Sequence, residues 1–285
     1  MKRYPEVPRA ADAPPDLFES GHLWLQERVD GAHLRFRLRE SGLLEFGDRT
    51  RTFDDTDDMP ASYRHAVRRV RASFDREALR AARDDPASVV FFGEATVRRR
   101  IDYDWDRVPA VLGFDVWDAD ADRFLPPDAV EQVFDRVGLD PVNAVAKEVR
   151  AADFDPGDYD VPESAWYDGP AAGVVVRNKT GGRAVIPNPE VADLDESAPV
   201  DPSAEDAEER AEELAERFVT PERVERVAAD LDDRGQRATF DAVFERAFEA
   251  VAREEHHLLF GESASVDVQA FRSAVAARVQ ELFDE

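Results

Sequence analysis

Apolar and polar residues alternate with a period of two in several short runs of the first two-thirds of the chain, the mark of strands with one buried face. Over residues 33–38, Leu34, Phe36 and Leu38 alternate with His33, Arg35 and Arg37. Residues 22–27, 88–97, 110–117 and 173–177 read as further strands, separated by Gly, Pro and Asp. Val89-Val90-Phe91-Phe92 and Val174-Val175-Val176 are unbroken apolar runs, which predicts central strands covered on both faces. Residues 62–82 form an arginine-rich helical stretch. The texture to about residue 190 is therefore mixed helix and strand.

Beyond that the period changes. Residues 193–206 are dominated by Asp, Glu, Ser, Pro and Ala and read as a linker. Ser203 followed by Asp206 resembles a capping box, and Thr220-Pro221-Glu222 supplies a cap followed by proline at the first helical position. Phe240, Val243, Phe244, Ala247, Phe248 and Val251 recur at helical spacing, and Ala270, Phe271, Val275, Val279 and Phe283 predict a last amphipathic helix. The expected organisation is a domain over 1–192, the linker 193–206 and a small helical domain over 207–285.

Composition narrows the chemistry. The 285 residues include no cysteine, which removes disulfides, thiolate metal sites and a cysteine nucleophile. Hydrophobic residues are 43% of the chain, enough for a core, but no run approaches the ~20 apolar residues of a membrane helix. No apolar stretch follows the charges of Met1-Lys2-Arg3-Tyr4-Pro5, so a cytoplasmic protein without membrane contact is expected. The net charge is −26, and Lys2, Lys147 and Lys179 are the only lysines among 37 cations. A carboxylate-rich, lysine-poor surface suits a salt-saturated cytoplasm, where screening weakens self-repulsion, so this charge does not exclude nucleic acid as a partner.

Five short motifs carry the chemistry. Glu27-Arg28-Val29-Asp30-Gly31 is a polar turn between two predicted strands. Phe46-Gly47-Asp48-Arg49-Thr50, Phe92-Gly93-Glu94, Gly113-Phe114-Asp115-Val116-Trp117 and Gly173-Val174-Val175-Val176-Arg177 follow it in order. Taken singly, Phe114 is a core ring, Glu94 a strand-end carboxylate and Arg49 a surface arginine. In this order and spacing, over about residues 22–186, they resemble the motif series of covalent nucleotidyltransferases, most closely the ATP-dependent RNA ligase family. The resemblance implies an α+β fold, in which an adenylyltransferase domain of antiparallel sheets with flanking helices precedes a small all-α domain.

It also implies a reaction, in which a lysine takes AMP from ATP with Mg2+ or Mn2+, AMP passes to an RNA 5′-phosphate, and a 3′-hydroxyl displaces it. By the same resemblance Arg28, Asp30 and Gly31 hold the catalytic turn and Glu27 meets the adenine edge. Arg49 pairs with a phosphate or RNA end, Glu94 accepts from the ribose hydroxyl and Phe114 stacks on the base. Arg177 and Lys179 are the remaining cations near the nucleotide.

Three positions depart from the family pattern. Arg28 stands where the nucleophilic lysine belongs, and a guanidinium is always protonated and is no amine nucleophile. Ala172 stands at the carboxylate that the resemblance assigns to the metal, so no residue is assigned to a metal here and metal binding is expected to be weakened. The final Lys-x-Lys pattern is missing, with Lys179 and Arg183 the nearby cations. The expectation is a ligase-like protein with impaired self-adenylylation that could still seal adenylylated ends. Its alternative is a non-catalytic homologue that binds nucleotide or RNA ends, and a DNA or cap-like substrate is a third reading. Arg64, Arg68, Arg69, Arg71 and Arg98-Arg99-Arg100 are basic clusters open to RNA phosphates or to plain solvation. His256 and His257 diverge by ~100° on a helix and cannot share a metal. The oligomeric state stays open.

Overall fold

Two antiparallel sheets carry the motifs. In the computed structural model, which describes residues 1–53, 59–192, 204–260 and 266–284, the strands are β1 (His22–Glu27), β2 (Ala32–Leu38), β3 (Leu44–Gly47), β4 (Thr52–Phe53), β5 (Val89–Ala95), β6 (Val111–Asp118), β7 (Arg123–Phe124), β8 (Ala144–Arg150), β9 (Gly173–Asn178) and β10 (Arg183–Pro187). One sheet has four strands in the order β10-β9-β1-β8, the other six in the order β4-β3-β2-β5-β6-β7. The expected α+β architecture of antiparallel sheets with flanking helices is the one observed.

Side-chain alternation sorts the six-stranded sheet into two faces. Leu34, Phe36 and Leu38 of β2 join Val89 and Phe91 of β5 in a core that also takes Ala66, Val67 and Val70 from helix Ala61–Ser73 and Val130 and Phe134 from helix Pro127–Arg136. The Phe36 and Phe91 rings stack with centroids 5.0 Å apart. Val90 and Phe92 point the other way, into a second cluster with Trp117. The Val89–Phe92 run is thus covered on both faces. The Val174–Val176 run differs. Val174 and Val176 are buried beneath the four-stranded sheet, whereas Val175 is half-buried on the opposite face.

The arginine-rich stretch 62–82 is not one helix but two, Ala61–Ser73 and Arg76–Ala82. Between them the Asp75 carboxylate accepts from the Ala78 backbone N–H at 2.8 Å and starts the second, as an N-cap should.

The chain divides into two units, Met1–Thr96 with Ile101–Leu194, and Val97–Arg100 with Asp195–Glu285. Residues 193–203 of the expected linker, Ser203 of the expected capping pair included, lie outside the described residues, and helix Ala204–Phe218 starts inside the stretch read as linker. Among the described residues of the second unit the further helices are Pro221–Asp233, Phe240–Glu254, His256–Phe260 and Val268–Asp284. Thr220 caps its helix, accepting from Arg223 N at 3.3 Å. Val243, Ala247, Phe248, Val251, Phe271, Val275 and Val279 are buried, but Phe283 is 40% exposed and does not join the expected apolar face. Val97–Arg100 belongs to this unit through Arg98, whose backbone N–H donates to Arg253 O at 2.9 Å and whose guanidinium lies 3.5 Å from Glu255.

Candidate functional site

The turn between β1 and β2 brings the two sheets together. Arg28 donates its backbone N–H to Gly173 O at 2.9 Å, and its exposed guanidinium donates to Ala172 O at 3.4 Å. The two positions that depart most from the family pattern are therefore in contact. Val29 packs into a cluster with Leu112, Ala172 and the half-buried Phe114. Asp30 is buried and its backbone N–H donates to the Tyr103 hydroxyl at 2.8 Å. Gly31 is required by close approach, since a Cβ there would sit 2.6 Å from Ala95 O on β5.

Glu27 is buried and already satisfied. Its carboxylate accepts from the Ser164 hydroxyl at 2.5 Å, the Asn143 amide at 3.1 Å and the Ala165 backbone N–H at 3.1 Å. With three protein donors around it, the carboxylate fixes the segment leading to Ala172.

The opposing wall comes from β2, β5 and β6. His33 lies opposite Glu94 in register, and Glu94 lies opposite Leu112. The His33 and Phe114 ring centroids are 5.6 Å apart. Arg49 is exposed in a turn closed by Asp48 Oδ1, which accepts from Thr50 N at 2.7 Å and Arg51 N at 2.8 Å. His33 thus links Arg49, Glu94 and Phe114 on one face, and it carries no motif signal of its own. Its signal in the sequence was its place on the outward face of β2.

His33 Nε2 is buried without a hydrogen-bond partner among the described residues. Burial first, and then the charges of Arg49 and Arg35, lower the His33 pKa to about 4, so the ring is neutral at pH 7. The unfolded chain, with a histidine near 6.5, binds the extra proton between those two values. Stability is therefore expected to be full above about pH 6.5 and to fall as the pH drops toward 4. Thermal melts across pH 7 to 4.5 at constant salt check this. His33→Phe should flatten the decline, and an unchanged slope would assign it to other groups.

Two expected cofactor cations are placed elsewhere. Arg177 is buried in β9, where it donates to Phe114 O at 2.6 Å and Leu125 O at 3.2 Å and pairs with Asp115 Oδ1 at 2.9 Å. It braces the strand that carries Phe114. Lys179 follows the far end of β9, roughly 20 Å from Gly173 at strand spacing. There it pairs with Glu148 at 2.7 Å and Asp128 at 3.5 Å.

Around the turn, Arg28 is tied to Gly173 and Ala172, His33 lies beside Phe114 and opposite Glu94, and Arg28 and Arg49 are exposed. A half-buried aromatic ring, a nearby carboxylate and two exposed arginines are the residue types that suit an aromatic base with phosphates attached.

A family model described as RNA ligase matches residues 21–186. Among curated proteins, none matches this chain in sequence. An RNA ligase of Naegleria gruberi, in a variant solved with ATP and Mn, superposes with a TM-score of 0.53 at 15% identity, over 69% of this chain and 59% of that one. The same ligase with PPi gives 0.51 at 14% identity, over 66% and 56%. This chain thus spans less than two-thirds of the length of these structures, and the likeness is one of fold.

Proposed function

The chain belongs to the RNA ligase family, and from that premise we propose that its cleft binds ATP or AMP and engages RNA ends, with self-adenylylation impaired. The proposed remaining reaction is the sealing of ends that are already adenylylated. The 3′-hydroxyl oxygen attacks the 5′-phosphorus, a new P–O bond forms, and AMP leaves with the electrons of the broken phosphoanhydride bond. The observation that carries this reading is the contact of Arg28 with Ala172 O. A permanently protonated guanidinium cannot form the phosphoramidate, but it can hold phosphate oxygens as their charge builds.

The roles follow from the cleft. Phe114 offers a ring for the base, and Glu94 is an acceptor for a ribose hydroxyl. Arg28 and Arg49 are donors for phosphates, and neutral His33 lies against Phe114 with a buried, unpartnered nitrogen. A divalent ion fits poorly as a protein-held group. Ala172 has no ligating side chain and its carbonyl already accepts from the Arg28 cation, and no group of three or more His, Asp or Glu among the described residues could hold one. Mg2+ or Mn2+ would enter on the nucleotide's own phosphates. We take the helical residues 207–285 as a domain that steadies the RNA, acting in a salt-rich cytoplasm. Among the described residues no helix is long and apolar enough to cross a membrane.

The same contact favours one second reading, a nucleotide- or RNA-end-binding protein without catalysis. Calorimetry with ATP and AMP in molar KCl, beside incubation with 5′-adenylylated RNA and a 3′-hydroxyl acceptor, separates the two. Nucleotide binding with sealed product is the expected outcome. Binding without product under any salt condition would leave the second reading, and no binding would overturn both.

A further inference from the structure

Residues 1–4 lie along the wall that carries Phe114. Arg35 donates to the carbonyls of Met1 at 3.2 Å and Lys2 at 2.7 Å, and the Lys2 ammonium sits 3.6 Å over the Trp117 ring. Tyr4 then turns into the wall. Its ring meets Phe92 at 5.1 Å, Phe124 at 5.5 Å and His33 at 5.8 Å, and stands edge-on to Phe114 at 5.0 Å and 80°. Its hydroxyl donates to Asp115 Oδ2 at 2.9 Å, on the residue next to Phe114, and the Arg183 guanidinium lies 5.2 Å from the ring. Beyond it the chain is tied to β10, where Val185 N donates to Pro8 O at 2.9 Å.

So many anchors describe a fixed part of the wall and not a plug that lifts away. Phe114 is half-buried, with His33 tilted on it and Tyr4 edge-on. Without the Tyr4 edge its ring plane loses the contact that sets it, because aromatic pairs favour a defined offset or edge-on geometry.

We propose that Tyr4 is a positioning residue for the base: it fixes the plane of Phe114, so that the first four residues help decide whether the cleft reads the ring of a nucleotide. This rests on the adenine-nucleotide reading above. Tyr4 acts on the ring end of the ligand only, because the exposed cations Arg28 and Arg49 handle phosphates independently of it.

The test is calorimetric titration of the full chain, well below its melting temperature, with ATP and separately with inorganic tripolyphosphate. Tyr4→Leu is expected to weaken ATP binding about tenfold, the contribution of one favourable aromatic pair, and to leave tripolyphosphate binding unchanged. Tyr4→Phe keeps the ring and loses the hydroxyl, so it should stay within about twofold of the parent for both ligands. If Tyr4→Leu fails to fold, Tyr4→Trp, which keeps the cluster apolar while changing the angle at Phe114, reads the same split. A parallel fall for both ligands would mark a merely structural role and overturn the proposal. Unchanged ATP affinity would overturn it while leaving the nucleotide reading intact. An unaltered protein that binds no ATP would remove the nucleotide reading first, and the role of Tyr4 with it.

Discussion

Asp115→Ala is expected to destabilise the first unit by about 3–5 kcal/mol, the usual consequence of leaving buried charge without its partner. Asp115 is fully buried, and both carboxylate oxygens are engaged. Oδ1 accepts from Arg177 and from the Val116 backbone N–H, and Oδ2 from Arg183 at 3.0 Å and from Tyr4. Removing it strands two guanidinium groups, of which Arg177 is 3% and Arg183 8% exposed at the side chain. A domain of ordinary stability, about 5–15 kcal/mol, would lose a large share of it. Denaturant unfolding at fixed high salt reads the effect. Replacing the charged set together, with Asp115→Leu, Arg177→Met and Arg183→Met, should recover much of the loss, since well-packed apolar groups often equal a buried ion network. A single variant within 1 kcal/mol of the parent would show that water reaches these arginines.

That network also marks where the sequence stops being legible. The fold could be read wherever one element's pattern suffices. Alternation in β2 and the apolar run of β5 follow from side chains that see a single sheet face each. Strand β8 escaped notice because its positions are half-exposed and Glu148 breaks the ladder with a φ of +56°. The candidate site was legible as residue types in order, but not as partners. Arg177 looks like a phosphate cation until Asp115, 62 positions away, is seen to take its charge. Glu27 looks like a ligand carboxylate until Ser164 and Asn143 close on it. Arg35 alternates as a solvent-facing residue, yet it is 2% exposed because residues 1–4 lie over that face. In each case a long-range contact decides the role, and local pattern carries no information about it.

Arg28→Lys combined with Ala172→Glu is expected to turn a protein with no detectable covalent AMP into one that labels from α-labelled ATP. Each change supplies a different missing element. The lysine provides an amine whose neutral form can attack a phosphorus, which a guanidinium cannot do. The glutamate supplies a carboxylate on the residue whose backbone carbonyl accepts from Arg28. Arg28→Lys alone gains a nucleophile but no carboxylate to help hold Mg2+ or Mn2+ on the phosphates, and Ala172→Glu alone would pair with the Arg28 guanidinium and stay inert. The expected ranking is therefore no label for the parent and for Ala172→Glu, faint label for Arg28→Lys, and strong label only for the pair, read on denatured protein in molar KCl. The turn should tolerate Arg28→Lys, because Arg28 is exposed and its backbone is held by Gly173 O whichever side chain it bears. Ala172, in contrast, is 2% exposed among apolar residues, so a thermal melt must show that each variant carrying Ala172→Glu is folded before its label is read. Label on the unaltered protein would refute the impaired first step outright. A silent double variant would mean that the satisfied Glu27 and the braced Arg177 have shaped the cleft for holding RNA ends and nucleotide rather than for bonding to them.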